Sequence, residues 1–207
     1  ISSKIGDVIV ACSEKVIFDH IKSLGGEAKM TDPNLPTGTD RIFVAAKNYM
    51  NINQYDSIIN LQGDMPLINP NDIAQVNIPL QQGFDIGSLV TNLKGDVEAN
   101  DKNITKAQVE WIKKETIGKA IDFNKNINLL KGSNLYHHVG IYSFQFEALK
   151  KFISLPLSKN ERKRNLEQMR ALDARMTIGV SYVKNVPISV DTKEDLLQAE
   201  KIIKNYE

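Results

Sequence analysis

Apolar residues fall in short clusters separated by turn-forming ones, and each cluster predicts an element. DVIVAC (7–12) is a β-branched run that reads as a buried strand. EKVIFDHIKSL (14–24) reads as a helix, with Ser13 as its N-cap and Gly25-Gly26 as its stop. EAKM (27–30) reads as a short strand, TDPNLPTGTD (31–40) as a loop and DRIFVAAKNY (40–49) as the next helix. DSIINL (56–61) is another buried strand. Asn69-Pro70 offers an N-cap and a first-turn proline for a helix that Pro79 would end or kink. Strand and helix alternate throughout this part, which predicts a parallel sheet in an α/β layer fold.

The pattern then changes. Strands are predicted at 85–93, 107–114 and 119–123, the last two joined by the turn ETIG, and again at 135–144. QFEALKKFISL (145–155) is a helix closed by Pro156, and NERKRNLEQMRALDAR (160–175) reads as one charged helix. A strand at 176–183 precedes a final amphipathic helix, for which Thr192 and Asp195 form a capping box. No internal repeat, low-complexity tract or linker interrupts the pattern.

At 207 residues, 42% hydrophobic and 25% charged, the chain has enough material for one core and reads as a single domain. A net charge of +1 gives no field that would imply a nucleic-acid partner or a membrane surface. The lone cysteine, Cys12, excludes a disulfide framework and fits a cytoplasmic location. No apolar run approaches the roughly 20 residues needed to insert across a bilayer, and nothing at the start resembles a signal peptide. The first residue is Ile, so a processed or truncated product is expected.

Several stretches could carry chemistry. In INLQGDMPLINP (59–70), Asp64 follows a predicted strand end, where ligands bind in open α/β sheets. Gln62 could hydrogen-bond a hydroxyl or carboxylate there; turn chemistry explains the same residues. Asp191 in SVDTKEDL follows another apolar run. Two carboxylates from separate strand ends suit a magnesium ion beside nucleotide phosphates; for Asp191 a place before a capped helix is the alternative. TGTDR (37–41) precedes a helix, so it could bind an anion or simply cap that helix. His137 and His138 point to opposite faces of a strand, so they cannot readily share a metal. Glu167 and Arg170 lie three apart on a predicted helix, as a solvent-exposed pair would. No nucleophile elbow, Gly-x-Gly-x-x-Gly or Walker pattern is present, which argues against covalent catalysis by a side chain.

TGTDR, INLQGDMPLI, HHVGIYSF, LEQMRAL and VDTKEDL, in this order and at these spacings, together resemble the 3-deoxy-manno-octulosonate (KDO) cytidylyltransferase family. The resemblance implies an α/β nucleotidyltransferase fold: a three-layer sandwich with a mostly parallel central sheet and a dimerising strand-helix insertion. It implies a homodimer that makes CMP-KDO and pyrophosphate from CTP and KDO with magnesium, for lipopolysaccharide assembly. Carried over by position, Asp64 and Asp191 would be the magnesium ligands. Gln62, His138, Tyr142, Glu167 and Gln168 would line the sugar pocket, and Thr37, Gly38, Thr39 and Arg41 the nucleotide loop. Lys125 falls where the family usually has an arginine that meets the sugar acid; an ammonium keeps the charge but loses the bidentate geometry.

The family's first strand and its arginine- and lysine-bearing phosphate loop have no counterpart in residues 1–207. Cys12-Ser13 replaces a Thr-Asp pair, the region 126–136 is short, and Arg164 stands where an acid is frequent. The expectation is therefore a single cytidylyltransferase domain over 1–207 lacking that strand and loop. The alternatives are a transferase for a related acid, such as 8-amino KDO or a sialic acid, and a non-catalytic binding module.

Overall fold

In a computed structural model, which describes residues 5–49, 54–190 and 192–205, the chain opens with β1 (Ile9–Cys12), α1 (Lys15–Ser23) and β2 (Glu27–Met30). The two strands pair in parallel, Ile9 opposite Glu27 and Cys12 opposite Met30, as a strand–helix–strand crossover dictates. Glu14, not Ser13, is the N-cap of α1, and it makes no side-chain capping bond. α2 (Gly38–Lys47) starts earlier than predicted because Thr37 caps it, its side chain accepting from the Asp40 N–H. β3 (Ile58–Asn60) and α3 (Pro70–Gln75) follow, the helix capped by Asn69 with Pro70 in its first turn. It ends ahead of Pro79, which lies in the first turn of a separate α4 (Ile78–Gln81).

The remaining strands are β4 (Ile86–Thr91), β5 (Lys106–Lys113), β6 (Ile117–Asn124), β7 (Leu135–Phe144) and β8 (Ile178–Tyr182). With β3 they form a six-stranded sheet in the order β3-β7-β4-β8-β6-β5. The expectation of a mostly parallel sheet is corrected here. β4 and β8 are parallel, whereas β7 runs antiparallel to β3, β4 and β5, and β6 antiparallel to β5 and β8. Strand–helix alternation governs only the first part of the chain. β5 and β6 are joined by a tight turn and must reverse direction, and β7 fills the place between β3 and β4 against the direction of both.

β4 is buried at all six positions, so it must be covered on both faces. On one face Ile86 and Val90 pack with Leu149 and Phe152 of α6 (Phe146–Ser154) and Met169 of α8 (Met169–Asp173). On the other, Leu89 packs with Ile73 of α3, Val76 and Ile141. Helices thus lie on both sides of the sheet. Gly87 is needed for this approach, since a Cβ there would sit 2.1 Å from the Val76 carbonyl oxygen.

The predicted single helix over 160–175 is two. α7 (Lys159–Arg164) ends at Asn165, whose φ of 51° is the left-handed conformation that asparagine tolerates better than most residues. The break turns buried Leu166 into the core before α8 begins. α9 (Lys193–Lys204) starts at the expected Thr192–Asp195 capping box. The short helix α5 (Gly95–Asn100) and a 3-10 turn at Ile127–Leu129 had no clear pattern in the sequence.

Candidate active site

The N-terminus of α2, the end of β3 and the turn before α8 converge on one hydrogen-bonded chain. Thr37 Oγ1 lies 2.6 Å from Asp40 Oδ2 and 2.8 Å from Glu167 Oε1. Thr39 Oγ1 donates to Glu167 Oε2 at 2.9 Å and accepts from Asn60 Nδ2 at 3.3 Å. Asn60 Oδ1 in turn accepts from Gln62 Nε2, also at 3.3 Å. Gly38 faces the same amide: a Cβ there would lie 3.7 Å from Gln62 Nε2. Five residues singled out in the sequence are thereby brought together. Asn60 joins them and was missed; the available signal was an amide inside the apolar run SIINL, which burial makes costly unless it is bonded.

β7 supplies a second group. His138 is buried, its Nε2 2.9 Å from Ser88 Oγ. The Ser88 hydroxyl donates to the Ile141 carbonyl at 2.9 Å, so its oxygen is left to accept from an Nε2–H, and Nδ1 carries the lone pair. The ring packs between Phe123 (4.9 Å) and Tyr142 (5.5 Å). Burial, helped by the neighbouring His137, pushes the His138 pKa down to about 3, so the ring is neutral at ordinary pH. His137 takes the opposite side, as predicted, with Nδ1 3.1 Å from Glu98 Oε2. Tyr142 sits opposite Asn60 in the strand register, which ties this group to the first. Desolvation and then the Glu167 carboxylate raise its phenol pKa.

Gln168 is buried at the start of α8. Two other predicted residues stay apart. The Arg41 guanidinium turns to the Thr31 hydroxyl and the Asp32 carbonyl, near the end of β2. Lys125 lies just beyond β6, where its carbonyl accepts from the buried Lys106 ammonium at 2.9 Å. Among the described residues no hydrogen bond joins its side chain to the Glu167 chain. The expected solvent-exposed Glu167–Arg170 pair is also corrected: Arg170 is 4% exposed and its guanidinium binds Glu161.

Asp64 follows Gln62 by two residues in the loop after β3. Its Oδ2 accepts from Ser189 Oγ at 3.1 Å and its carbonyl from the Val190 N–H at 2.8 Å. The following residue, Asp191, lies outside the described residues. Asp64 Oδ1 is buried with no partner among the described residues, and an orphaned carboxylate oxygen is what a cation ligand looks like before its cation is present. Among the described residues no cluster of three or more His, Cys, Asp or Glu could hold a metal. Magnesium needs no such cage, since one or two carboxylates plus phosphate oxygens and water suffice. A cleft of about 990 Å³ opens nearby, lined by Ile9 and Ala11 of β1 and by Ile59, Leu61, Gln62 and Gly63.

The fold defines the class first. A CMP:2-keto-3-deoxy-manno-octonic acid synthetase solved with CTP superimposes with a TM-score of 0.84, at 24% identity over 98% of this chain and 82% of that one. A UDP-glucose pyrophosphorylase solved with UDP-glucose gives 0.61, at 14% identity over 95% and 75%. Both place the chain in a nucleotidyltransferase-like α/β fold. The family model described as cytidylyltransferase matches residues 1–178. The 3-deoxy-manno-octulosonate cytidylyltransferase of Paramagnetospirillum magneticum is 37% identical over 99% of this chain and 83% of its own length. That of Rhodospirillum centenum is 38% identical over 96% and 78%. The chain therefore belongs to the cytidylyltransferase family, in its 3-deoxy-manno-octulosonate branch, and is a nucleotidyltransferase. The resemblance read from the five ordered motifs is borne out.

Proposed function

We propose that the chain transfers the cytidylyl group of CTP to KDO, releasing pyrophosphate, as a step of lipopolysaccharide assembly. The observation that carries this reading is the orphaned Oδ1 of Asp64 beside the Glu167–Thr39–Asn60–Gln62 chain, in a member of this family. The anomeric hydroxyl of the sugar attacks the α-phosphorus, a new P–O bond forms, and the bond to the bridging oxygen breaks. Gln62, His138, Tyr142, Glu167 and Gln168 orient the sugar. His138 does so as a neutral ring, so it offers hydrogen bonding and shape rather than charge. Thr37, Gly38 and Thr39, held by the bonds of the two hydroxyls to Glu167, present the first N–H groups of α2 to the nucleotide. Cytidylyltransferases of this kind generally use a divalent metal; magnesium held by Asp64 and Asp191 is our reading. When bound, that ion would neutralise phosphate charge and ease deprotonation of the attacking hydroxyl.

The same reading extends to the whole domain. Residues 1–207 are taken as one cytidylyltransferase domain without the family's first strand and phosphate loop. What supports this is the cleft between β1 and β3, whose facing edges have no strand partner among the described residues. In this reading Arg41 meets the nucleotide and Lys125 the sugar acid. A homodimer is supported by Ile112 and Ile121, left 67% and 40% exposed on β5 and β6. The cytoplasm is supported by the free Cys12, and no described helix is long and apolar enough to cross a membrane. Lys125 in place of arginine favours a second reading, a transferase for 8-amino KDO or a sialic acid.

The test measures pyrophosphate release with CTP, magnesium and each of the three acids. It uses the 207-residue chain and a version extended at its N-terminus with the first strand and loop of a curated relative. Fastest release with KDO is expected, and at least tenfold more from the extended form. Absence of release from both forms with every acid would sink the transferase reading.

A further inference from the structure

Arg170 is a buried cation that no substrate role explains. Its Nε lies 2.9 Å and 3.1 Å from the two Glu161 carboxylate oxygens, and its Nη2 is 2.5 Å from Oε1. The guanidinium carbon sits 4.9 Å over the Phe152 ring, which stops it from swinging outward. Glu161 is fixed as well. It is 6% exposed, and its carboxylate accepts from the Ser158 N–H in the capping box of α7. Ion pair and ring together lock one side-chain position between α7, α8 and α6.

Glu167 lies one turn before Arg170, whose N–H donates to the Glu167 carbonyl at 3.0 Å. Its carboxylate does not close onto Arg170; it reaches across to Thr37 and Thr39 instead. Asp40 on α2 crowds the same place, with Oδ2 2.6 Å from Thr37 Oγ1. One hydroxyl proton cannot serve both carboxylates, so this corner carries more negative charge than its hydroxyl donors can satisfy. The Glu167 charge also raises the pKa of the Tyr142 phenol on β7, after the larger effect of its burial.

We propose that Glu161 and Arg170 are positioning residues for Glu167: the pair holds a guanidinium behind its carboxylate, near enough to stabilise the charge and too firmly held to capture it. Glu167 is then free to fasten the N-terminus of α2 to the turn before α8. Burial raises the Glu167 pKa, while Thr37, Thr39 and Arg170 oppose that rise. The two substitutions therefore act in opposite senses. Glu161→Gln releases Arg170 toward Glu167, which favours the ionised form. Glu161→Gln with Arg170→Met removes both buried charges together, leaves no orphaned ion, and favours the protonated form.

The consequence for turnover rests on the transferase reading, but the primary measurement does not. The side-chain carboxyl carbons of the ¹³C-labelled 207-residue chain are followed across pH by NMR, with Glu167 assigned through Glu167→Gln. The expected result is a Glu167 midpoint lowered in Glu161→Gln and raised in the double variant, by about one pH unit each way, a tenfold change in proton affinity. Unchanged midpoints, or shifts of the same sign in both folded variants, overturn the proposal. If the double variant does not fold, the isosteric Glu161→Gln decides alone: a midpoint that stays or rises refutes it. In an active form, the acidic limb of kcat/KM should follow the same two shifts. Midpoints that move without any pyrophosphate release would keep this inference and reject the transferase reading.

Discussion

The sheet body and the β1–α1–β2 unit are built from similar material but finished differently. In the body, β4 is buried at every position and helices cover both of its faces. In the unit, α1 has no buried residue, although its apolar side chains recur on one face. Val16 and Leu24 are 71% and 70% exposed, and β1 offers its second edge to the open cleft. A sheet edge and an uncovered helix face are liabilities that folded domains ordinarily hide. The body covers its own apolar faces, whereas the unit leaves a helix face and a strand edge uncovered among the described residues. Asp64 follows β3, an edge strand of the body: Oδ2 is satisfied by Ser189, and Oδ1 by nothing among the described residues.

The sharpest way to break this comparison is Asp64→Asn. If Oδ1 serves a ligand and not the fold, turnover should fall by about 10³-fold or more, roughly 4 kcal/mol of transition-state stabilisation. Stability against urea should change by less than about 1 kcal/mol. Pyrophosphate release and unfolding curves, measured against the parent, give both numbers. Parental turnover, or a large loss of stability with it, would make Asp64 a structural turn residue.

Leu149→Ala probes the finished region. Leu149 of α6 is wholly buried in the main cluster, so its truncation should cost about 2–5 kcal/mol. Urea denaturation reports the loss directly. A cost below about 1 kcal/mol would mean that the body is no better packed than the unit.

His138 tests the body through pH. Its folded pKa of about 3 lies below the ordinary histidine value, so acid protonates the unfolded chain before the folded one. Stability should therefore fall by about 1.4 kcal/mol for each pH unit below about 6.5, with no contribution from this group above that pH. Unfolding curves between pH 4.5 and 7.5 should lose this slope in His138→Asn. An identical slope in the variant would show that the ring already finds water or a counter-charge.

How much of this was legible in the sequence follows the same division. β7 was read to the residue because LYHHVGIYSF is a long β-rich run with a Gly-free start, and its two histidines diverge as alternation demands. Its antiparallel direction was not legible, because direction depends on which neighbours a strand finds and not on its own residues. Thr37, Gln62 and Glu167 were singled out, yet their meeting is a bond across 130 positions that local pattern cannot carry. Arg170 was read as half of an exposed pair with Glu167 because 160–175 looks like one charged helix; Asn165 breaks that helix, and Arg170 is buried against Glu161 instead. For Asp64 local pattern left turn residue and ligand both open, the ordered motifs chose the ligand, and the oxygen left unpartnered among the described residues is the structural observation on that side.

The smallest expected effect is the most searching test of the open region. Val16→Ala removes two methyl groups from a side chain that is 71% exposed, so almost no apolar area leaves or enters water on folding. The change should stay within about 0.5 kcal/mol, a few tenths of which reflect the better helix propensity of alanine. The urea midpoint of the 207-residue chain, set beside that of Leu149→Ala, gives the ratio between the two regions. A cost above about 1.5 kcal/mol would mean that α1 is packed in solution against a surface that leaves no trace among the described residues. The unit would then be as finished as the body, and the cleft beside β1 would no longer count as open.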